Sequence, residues 1–133
     1  GVLQKFFGEQ IIGKSVLVMG VSYRNDVGDT RNSPVELLYD ELLSSGARIV
    51  LHDPYVAFWQ EKKISIACQI EDLEVNSLDV VIIAAAHQAF LSQRYIRFIN
   101  NLKPKLMLDT VGCFRNIASK FDGVEDLRFI GKG

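Results

Sequence analysis

The sequence predicts an α/β domain with a doubly wound, mostly parallel sheet of five to six strands and helices on both faces. Short apolar runs bounded by turn residues alternate with segments of helical periodicity, which is the pattern of βαβ units. The run over residues 79–86 is almost wholly apolar, as expected for a strand that is buried on both sides. Such Rossmann-like sheets bind ligands outside the carboxyl ends of their strands.

The elements follow from apolar periodicity and from capping residues. The first helix is predicted to begin with a capping box, in which Ser33 is the N-cap, Pro34 the first helical residue and Glu36 the reciprocal partner, and to end at Gly46 as C-cap. A short helical turn is predicted around Trp59. Strands are predicted over residues 15–21, 48–52, 64–67, 79–86, 106–110 and 128–130, and helices or helical turns over residues 34–45, 70–75 and 88–100.

Composition limits the classes of partner. A chain of 133 residues that is 48% hydrophobic suits one compact domain with its own core. The net charge of −1 gives no overall field to attract nucleic acid or an anionic membrane. The longest apolar stretch is far shorter than the ~20 residues of a transmembrane helix, so we expect a cytoplasmic protein. Cys68 and Cys113 lie far apart, which favours buried free thiols over a disulfide or a metal site.

The N-terminal residues differ from the rest of the chain. Gly1 stands where a natural start would have Met, and residues 2–12 resemble the end of an amphipathic helix. We therefore expect residues 1–12 to be the tail of a linker helix from absent upstream domains, and residues 13–133 to form the domain.

The loop over residues 20–34, here called the arginine loop, is the strongest functional signal. It places Arg24 and Arg31 between a buried strand and a capped helix, and guanidinium groups near a helix N-terminus suit phosphate oxygens. Only Gly20 stands at the turn, so the G-x-G-x-x-G pattern of a self-sufficient NAD-binding domain is absent. The alternative for either arginine is a surface ion pair with Asp26 or Asp29. Asp29 is expected to orient Arg31 or to cap the loop.

Motifs along most of the chain resemble one enzyme family. Residues 13–131 are similar to the C-terminal domain of the UDP-glucose/GDP-mannose dehydrogenase family. The matching residues are Gly20, Tyr23, Arg24, Asp29, Arg31, Ser33 and Pro34, followed by His52-Asp53-Pro54, residues 79–87 and Asp109-Thr110-Val111-Gly112.

The resemblance implies a parent enzyme and roles for three residues. The parent would be an NAD-dependent 6-dehydrogenase of a UDP-sugar, of the UDP-glucose or UDP-N-acetylhexosamine type, or of GDP-mannose. It would oxidise the sugar C6 alcohol to a carboxylate for polysaccharide biosynthesis, as a homo-oligomer. Tyr23 and Arg24 match the pair that contacts the nucleotide sugar, and Arg31 matches the arginine that reaches NAD, which the absent N-terminal domain mainly binds.

Catalysis itself is not expected from this chain. The family's catalytic cysteine belongs to the central domain, and neither cysteine here has its glycine-rich context. We therefore assign no catalytic residue and expect the isolated chain to be inactive. The alternative is a stand-alone nucleotide-binding or regulatory module. A receiver-like domain is disfavoured, because arginines stand where it would carry an acidic cluster.

One departure from the family concerns the last large strand. Many members carry a cation two positions after its aspartate, but here Val111 follows Asp109-Thr110. Either Arg115 replaces this cation from the following loop, or phosphate binding differs here. Arg115 is assigned to the substrate, with Lys103 as a second residue near the entrance. The Asp-Thr-x-Gly form leans towards the N-acetylhexosamine type.

Three smaller expectations concern the strand ends. Asp53 is predicted to be a turn residue before Pro54. His87 could touch the ligand or cap the helix that begins at Gln88, and the structural role is favoured. The small side chains of residues 84–86 are expected to keep the mouth of the site open.

Overall fold

A computed structural model describes residues 11–130, and its fold confirms the predicted Rossmann-like α/β class. The predicted helix tail over residues 1–12 lies outside this part of the chain, except for Ile11 and Ile12. The strands are β1 (Ser15–Met19), β2 (Arg48–His52), β3 (Phe58–Trp59), β4 (Ile64–Ser65), β5 (Val80–Ile83), β6 (Leu106–Asp109) and β7 (Leu127–Phe129). The α-helices are α1 (Val35–Ser44) and α2 (Gln93–Leu102), and 3-10 helices span Ile70–Asp72, Gln88–Leu91 and Arg115–Lys120.

The main sheet has five parallel strands in the order β2-β1-β5-β6-β7. Alternate residues of β1 show why both faces are covered: Val16 and Val18 belong to the same core cluster as Leu42 of α1. Leu17 belongs with Ile99 of α2 to a second cluster on the opposite face. Because successive side chains of a strand point to opposite faces, one helix packs on each face. The predicted doubly wound architecture is therefore confirmed.

The register of the strands places several loops at one edge of the sheet. Met19 is aligned with His52 on one side and with Ile83 on the other. Ile83 is in turn aligned with Asp109. Four strands thus end at the same level, and the segments that follow them leave the sheet at its carboxyl edge, where ligands bind in such folds.

The segment around Trp59 corrects the sequence prediction. It is strand β3 rather than a helical turn, and it pairs antiparallel with β4 in a separate two-stranded sheet. The aromatic ring explains this, because Trp59 is fully buried and meets Tyr39 of α1 edge to face at 5.5 Å. The strand predicted over residues 64–67 belongs to this hairpin as β4, and beyond β4 an isolated parallel bridge joins Ala67 to His52 of β2.

The start of α1 agrees with the prediction in one half of the capping box. The Ser33 hydroxyl accepts a hydrogen bond from the Val35 N–H group at 3.2 Å. The reciprocal bond from Glu36 is replaced, because the Ser33 N–H group donates to the Thr30 carbonyl at 3.3 Å. The N-cap position is Pro34, one residue later than predicted, and the Ser33 hydroxyl supplies its hydrogen bond from the residue before it. At the other end the C-cap is Ser45, one residue earlier than the predicted Gly46, which follows it with a positive φ of 83°.

The helix predicted over residues 88–100 is broken in two. Ser92 has extended backbone angles between the 3-10 helix Gln88–Leu91 and α2. The first and fourth predicted strands are also shorter than expected, ending at Met19 and Ile83.

Within residues 11–130, no helix has the length and apolar character needed to cross a bilayer. Cys68 and Cys113 are free, as predicted, but partly rather than fully buried.

Candidate functional site

The arginine loop leaves β1 at the carboxyl edge of the sheet and carries the predicted substrate residues on its surface. The Tyr23 side chain is 59% exposed, and Arg24 is exposed beside it. Within residues 11–130, no ion pair involves the Arg24 guanidinium. The surface ion pair that was the alternative reading of Arg24 is therefore not formed there.

Asp53 anchors the start of the arginine loop from the end of the neighbouring strand β2. It is fully buried, and its Oδ2 atom accepts hydrogen bonds from the N–H groups of Val21 at 2.9 Å and Ser22 at 3.2 Å. Its Oδ1 atom accepts one from the Tyr55 N–H group at 2.8 Å, which is the turn role that the sequence predicted. These bonds explain why β1 ends early: the Gly20 N–H group still bonds the His52 carbonyl of β2, but the N–H groups of Val21 and Ser22 bond the Asp53 carboxylate instead of a strand.

The charge of Asp53 is maintained in spite of burial. Burial raises the pKa of its carboxyl, but hydrogen bonds oppose this effect. The largest opposing contribution comes from His87, followed by the Tyr55 N–H group, and the pKa of Asp53 lies below the usual 3.8. The carboxylate is thus ionised and fully engaged at neutral pH.

His87 is a structural residue rather than a ligand-facing one. It is completely buried, with its Nε2 atom 3.0 Å from Asp53 Oδ2 and 3.1 Å from Ser22 Oγ. Its Nδ1 atom accepts a hydrogen bond from the Asp26 N–H group at 2.8 Å. The favoured structural role is confirmed, but the side chain fixes the arginine loop and does not cap the following helix.

Three further contacts hold the outer part of the loop. The Asn25 side chain accepts a hydrogen bond from the Ala86 N–H group at 3.0 Å. The Asp26 carboxylate accepts one from the Gln88 N–H group at 2.6 Å. From the hairpin, Glu61 accepts a hydrogen bond from the Thr30 hydroxyl at 2.6 Å. The loop is thus bonded to the end of β2, to the segment after β5 and to the hairpin.

Close backbone packing closes the mouth that residues 84–86 were expected to keep open. A Cβ atom on Gly20 would lie 2.5 Å from the Ala85 Cβ atom, and one on Gly28 would lie 2.2 Å from the Tyr55 carbonyl oxygen. The small residues therefore allow two loops to pack together instead of leaving space between β1 and β5. That expectation was wrong for Ala85.

Space remains on the other side of β5. A cavity of about 340 Å³ lies between the start of α1 and the ends of β5 and β6. Ala84 and Thr110 both line it, which shows that segments following the two strands do converge there. Its walls are mainly apolar and are formed by Pro34, Val35, Leu38, Ile82, Ala84, Leu108, Thr110, Val111 and Ile130.

Arg31 lies further along the loop in a fork-to-fork pair with Asp29. Its Nε and Nη2 atoms each lie 3.0 Å from a different oxygen of that carboxylate, while the Arg31 side chain is 80% exposed. The hydrogen bond from Arg31 lowers the pKa of Asp29 to about 2, and the same pair raises the pKa of Arg31. The surface ion pair that was the alternative for Arg31 is therefore formed; in it Asp29 orients the Arg31 guanidinium, as expected, and leaves it accessible.

The remaining predicted cations occupy different places. Arg115 is exposed, and its guanidinium carbon lies 4.7 Å from the centroid of the Phe129 ring, over the end of β7. β5 separates β1 from β6, so the loops carrying Arg24 and Arg115 begin about 10 Å apart. Lys103 follows α2 and precedes β6, which places it at the amino edge of the sheet. The expectation that Lys103 lines the entrance was therefore wrong.

A second buried aspartate holds the loop that carries Arg115. Asp109 Oδ1 accepts hydrogen bonds from the N–H groups of Val111 and Cys113, both at 3.1 Å. Its Oδ2 atom accepts one from the Phe114 N–H group at 2.7 Å. The residue that the family motif marks is thus a support for the loop after β6, in a fully buried position.

Sequence reasoning missed the network of Ser22, Asp53 and His87. No local signal indicates it, because the bonded residues are 31 to 65 positions apart in the chain. Polar residues at the ends of three adjacent strands were the available sign, once the strand order was known. Among residues 11–130, no group of three His, Cys, Asp or Glu side chains is placed to hold a metal ion.

The fold and the site define a class: a doubly wound α/β domain that presents a loop with two exposed arginines at its carboxyl edge. Residues 17–116 match the model of the UDP-glucose/GDP-mannose dehydrogenase family, UDP binding domain, and the chain belongs to that family. The expected family and fold are both confirmed.

Relatives of the chain include two enzymes. One is a UDP-N-acetyl-D-mannosamine dehydrogenase from Methanocaldococcus jannaschii, 31% identical over 102 residues, covering 74% of this chain and 22% of the relative. Another is a UDP-N-acetyl-D-glucosamine 6-dehydrogenase from Salmonella typhi, 24% identical over 83 residues, covering 62% of this chain and 20% of the relative.

A solved structure supports the same fold. The crystal structure of an NDP-N-acetyl-D-galactosaminuronic acid dehydrogenase from Methanosarcina mazei superimposes with a TM-score of 0.74 at 25% identity. The match covers 97% of this chain and 27% of that protein. The chain thus spans about a quarter or less of the length of these relatives.

Proposed function

We propose that this chain is the nucleotide-sugar-binding domain of an NAD-dependent 6-dehydrogenase that oxidises the C6 alcohol of a UDP-N-acetylhexosamine to a carboxylate. The enzyme would act in the cytoplasm and supply uronic acids for polysaccharides. The named relatives act on UDP-linked N-acetylmannosamine or N-acetylglucosamine, which favours this class over UDP-glucose or GDP-mannose. The Asp109-Thr110-Val111-Gly112 sequence leans the same way.

The observation that carries this proposal is the presentation of Tyr23 and Arg24. Both side chains are exposed on a loop whose backbone is held by buried groups, so their positions are set before any ligand arrives. Arg24 forms no ion pair with another of residues 11–130, and its guanidinium offers a planar fork of donors to a diphosphate. The neighbouring aromatic ring can cover a sugar or base face.

Arg31 is assigned to the cofactor and Arg115 to the far end of the substrate. Asp29 holds the Arg31 guanidinium outward on the surface, where it can reach NAD bound by another domain of the parent enzyme. Arg115 lies beyond β5, so it suits a different part of an extended nucleotide sugar than Arg24 does. The apolar cavity beside Thr110 adds a wall for the base or sugar.

The test uses the full-length protein that carries this chain. We expect NADH formation with UDP-N-acetylmannosamine or UDP-N-acetylglucosamine, and much less with UDP-glucose or GDP-mannose. The 133-residue chain alone should form no NADH with any of them. Absence of NADH formation by the full-length protein, combined with binding of UDP-sugars, would instead support a nucleotide-binding module without catalysis.

Single arginine variants test the division of roles. Arg24→Ala should weaken nucleotide-sugar binding by about 1.5–3 kcal/mol through the lost charge-assisted contact, and Arg115→Glu should weaken it too. Arg31→Ala should raise the KM for NAD instead. Arg128→Ala is a matched control, because Arg128 lies in β7 and forms an ion pair with Asp126. An unchanged KM for the sugar in Arg24→Ala would remove Arg24 from the site.

A further inference from the structure

The hydrogen-bond partners of His87 define the proton positions on its ring. A main-chain N–H group can only donate, so Nδ1, which accepts from Asp26, must carry a lone pair. The Ser22 hydroxyl uses its single proton to bond the Arg24 carbonyl at 3.0 Å. Its oxygen is therefore an acceptor for His87, and so is the Asp53 carboxylate. The ring is neutral, with its proton on Nε2 shared between these two oxygens.

The same contacts hold the arginine loop on both sides of Tyr23 and Arg24. Ser22 immediately precedes Tyr23, and Asp26 follows Arg24 by two residues. One buried ring thus fixes the chain before and after the two residues that are assigned to the nucleotide sugar. Both neighbours of His87 add bonds to the same loop through their own N–H groups.

We propose that His87 is a positioning residue for nucleotide-sugar binding, which holds the backbone around Tyr23 and Arg24 through the hydrogen bond that its Nδ1 atom accepts from the Asp26 N–H group. This inference rests on the proposed function of the loop. Preorganisation of this kind raises affinity because the loop is not ordered at the expense of binding energy. His87 itself is buried and does not touch the ligand.

Two substitutions separate the acceptor at Nδ1 of His87 from the donor at Nε2. His87→Asn keeps an acceptor close to the place of Nδ1 and loses the donor at Nε2. His87→Gln keeps a donor close to the place of Nε2 and loses the acceptor for Asp26. In the full-length enzyme, we expect His87→Gln to raise the KM for the UDP-sugar about 5- to 10-fold, as for one lost hydrogen bond. The separate variant His87→Asn should retain most of the affinity of the unmodified enzyme.

His52 provides the matched control. It is also completely buried, and both of its ring nitrogens are bonded, one to the Ala67 carbonyl and one to the Tyr95 hydroxyl, each at 2.7 Å. Neither Ala67 nor Tyr95, the two partners of the His52 ring, lies in the arginine loop. His52→Gln should lower the melting temperature as much as His87→Gln, but change the KM less than 2-fold. Equal changes in KM for the two variants would overturn the proposal.

A second measurement does not depend on the ligand. Hydrogen exchange of the Asp26 amide in the 133-residue chain should be slow in the unmodified protein and in His87→Asn, and fast in His87→Gln. If the full-length protein turns over no nucleotide sugar, the proposed function fails, and this measurement alone decides whether His87 positions the loop. Equally fast exchange in both variants, or no change in either, would overturn the positioning role.

Discussion

Two buried aspartates, Asp53 and Asp109, end strands of the same sheet and hold loops in different ways. Asp109 bonds the N–H groups of residues two, four and five positions ahead of it. Asp53 bonds one residue two positions ahead and three groups that are 31 to 34 positions away. One carboxylate shapes its own loop, while the other joins segments that follow three neighbouring strands.

The difference follows from the position of each strand. β2 lies beside β1, and the loop that follows β1 is long. Near its start, the N–H groups of Val21 and Ser22 have Asp53 as their partner instead of a strand. The loop after β6 is short and can use the carboxylate that begins it. A local anchor makes a loop that is rigid by itself, whereas a distant anchor makes the arginine loop depend on the packing of the whole carboxyl edge.

The largest expected effect comes from Asp53→Asn, which keeps the volume and removes the charge. If the amide oxygen takes the place of Oδ2, the amide NH₂ faces the Tyr55 N–H group, and a buried donor is left without a partner. We expect a loss of about 2–4 kcal/mol in the free energy of unfolding. Urea denaturation measures it, and amide exchange should become faster in the arginine loop. Exchange that increases only near residue 55 would contradict the long-range role.

Asp109→Asn is the matched variant and should cost less, about 1–3 kcal/mol, because three local donors are affected rather than four. The increase in amide exchange should be confined to residues 111–114, with the Asp26 amide unchanged. Nucleotide-sugar affinity of the full-length protein should fall less than in Asp53→Asn. Similar exchange in the arginine loop for both variants would break the distinction between local and distant anchoring.

These two residues also show how far the sequence could be read. Apolar runs gave the five main strands and their order along the chain, because burial of a strand needs only local composition. The turn role of Asp53 was predicted for the same reason, since an Asp-Pro pair acts on its own backbone. The contact of Asp53 with Ser22 and His87 required the register of β1, β2 and β5, which no local pattern specifies.

Other failures have the same origin. Trp59 is in a strand because its ring fills a space against α1, and tertiary packing overrides a local preference. Lys103 was placed near the entrance from its distance in sequence to the last strand, although it lies before β6 rather than after it. Tyr23, Arg24 and Arg31 of the family motif are exposed on the arginine loop, and their roles in binding remain predictions.

Acid should lower the stability of the folded chain through protonation of Asp53. Its folded pKa lies below 3.8, so near and below that value the folded protein binds fewer protons than the unfolded chain. Its contribution to stability is therefore complete at neutral pH and is lost as the pH falls below about 4. Urea denaturation between pH 6 and pH 3 should show a shallower decline in Asp53→Asn than in the unmodified chain. Parallel curves would mean that Asp53 does not link folding to pH.

The smallest effect on stability is expected for Asp29→Asn, in the outer part of the arginine loop. The pair with Arg31 is solvent-exposed, so the melting temperature should not change measurably. The guanidinium should nevertheless lose its fixed orientation, because an amide cannot accept two parallel hydrogen bonds from it. In the full-length protein, the KM for NAD should then rise while the KM for the UDP-sugar stays constant. This result would separate a surface pair that orients a functional arginine from the buried anchors that order the loop. A rise in the KM for the sugar alone would instead assign Arg31 to the substrate.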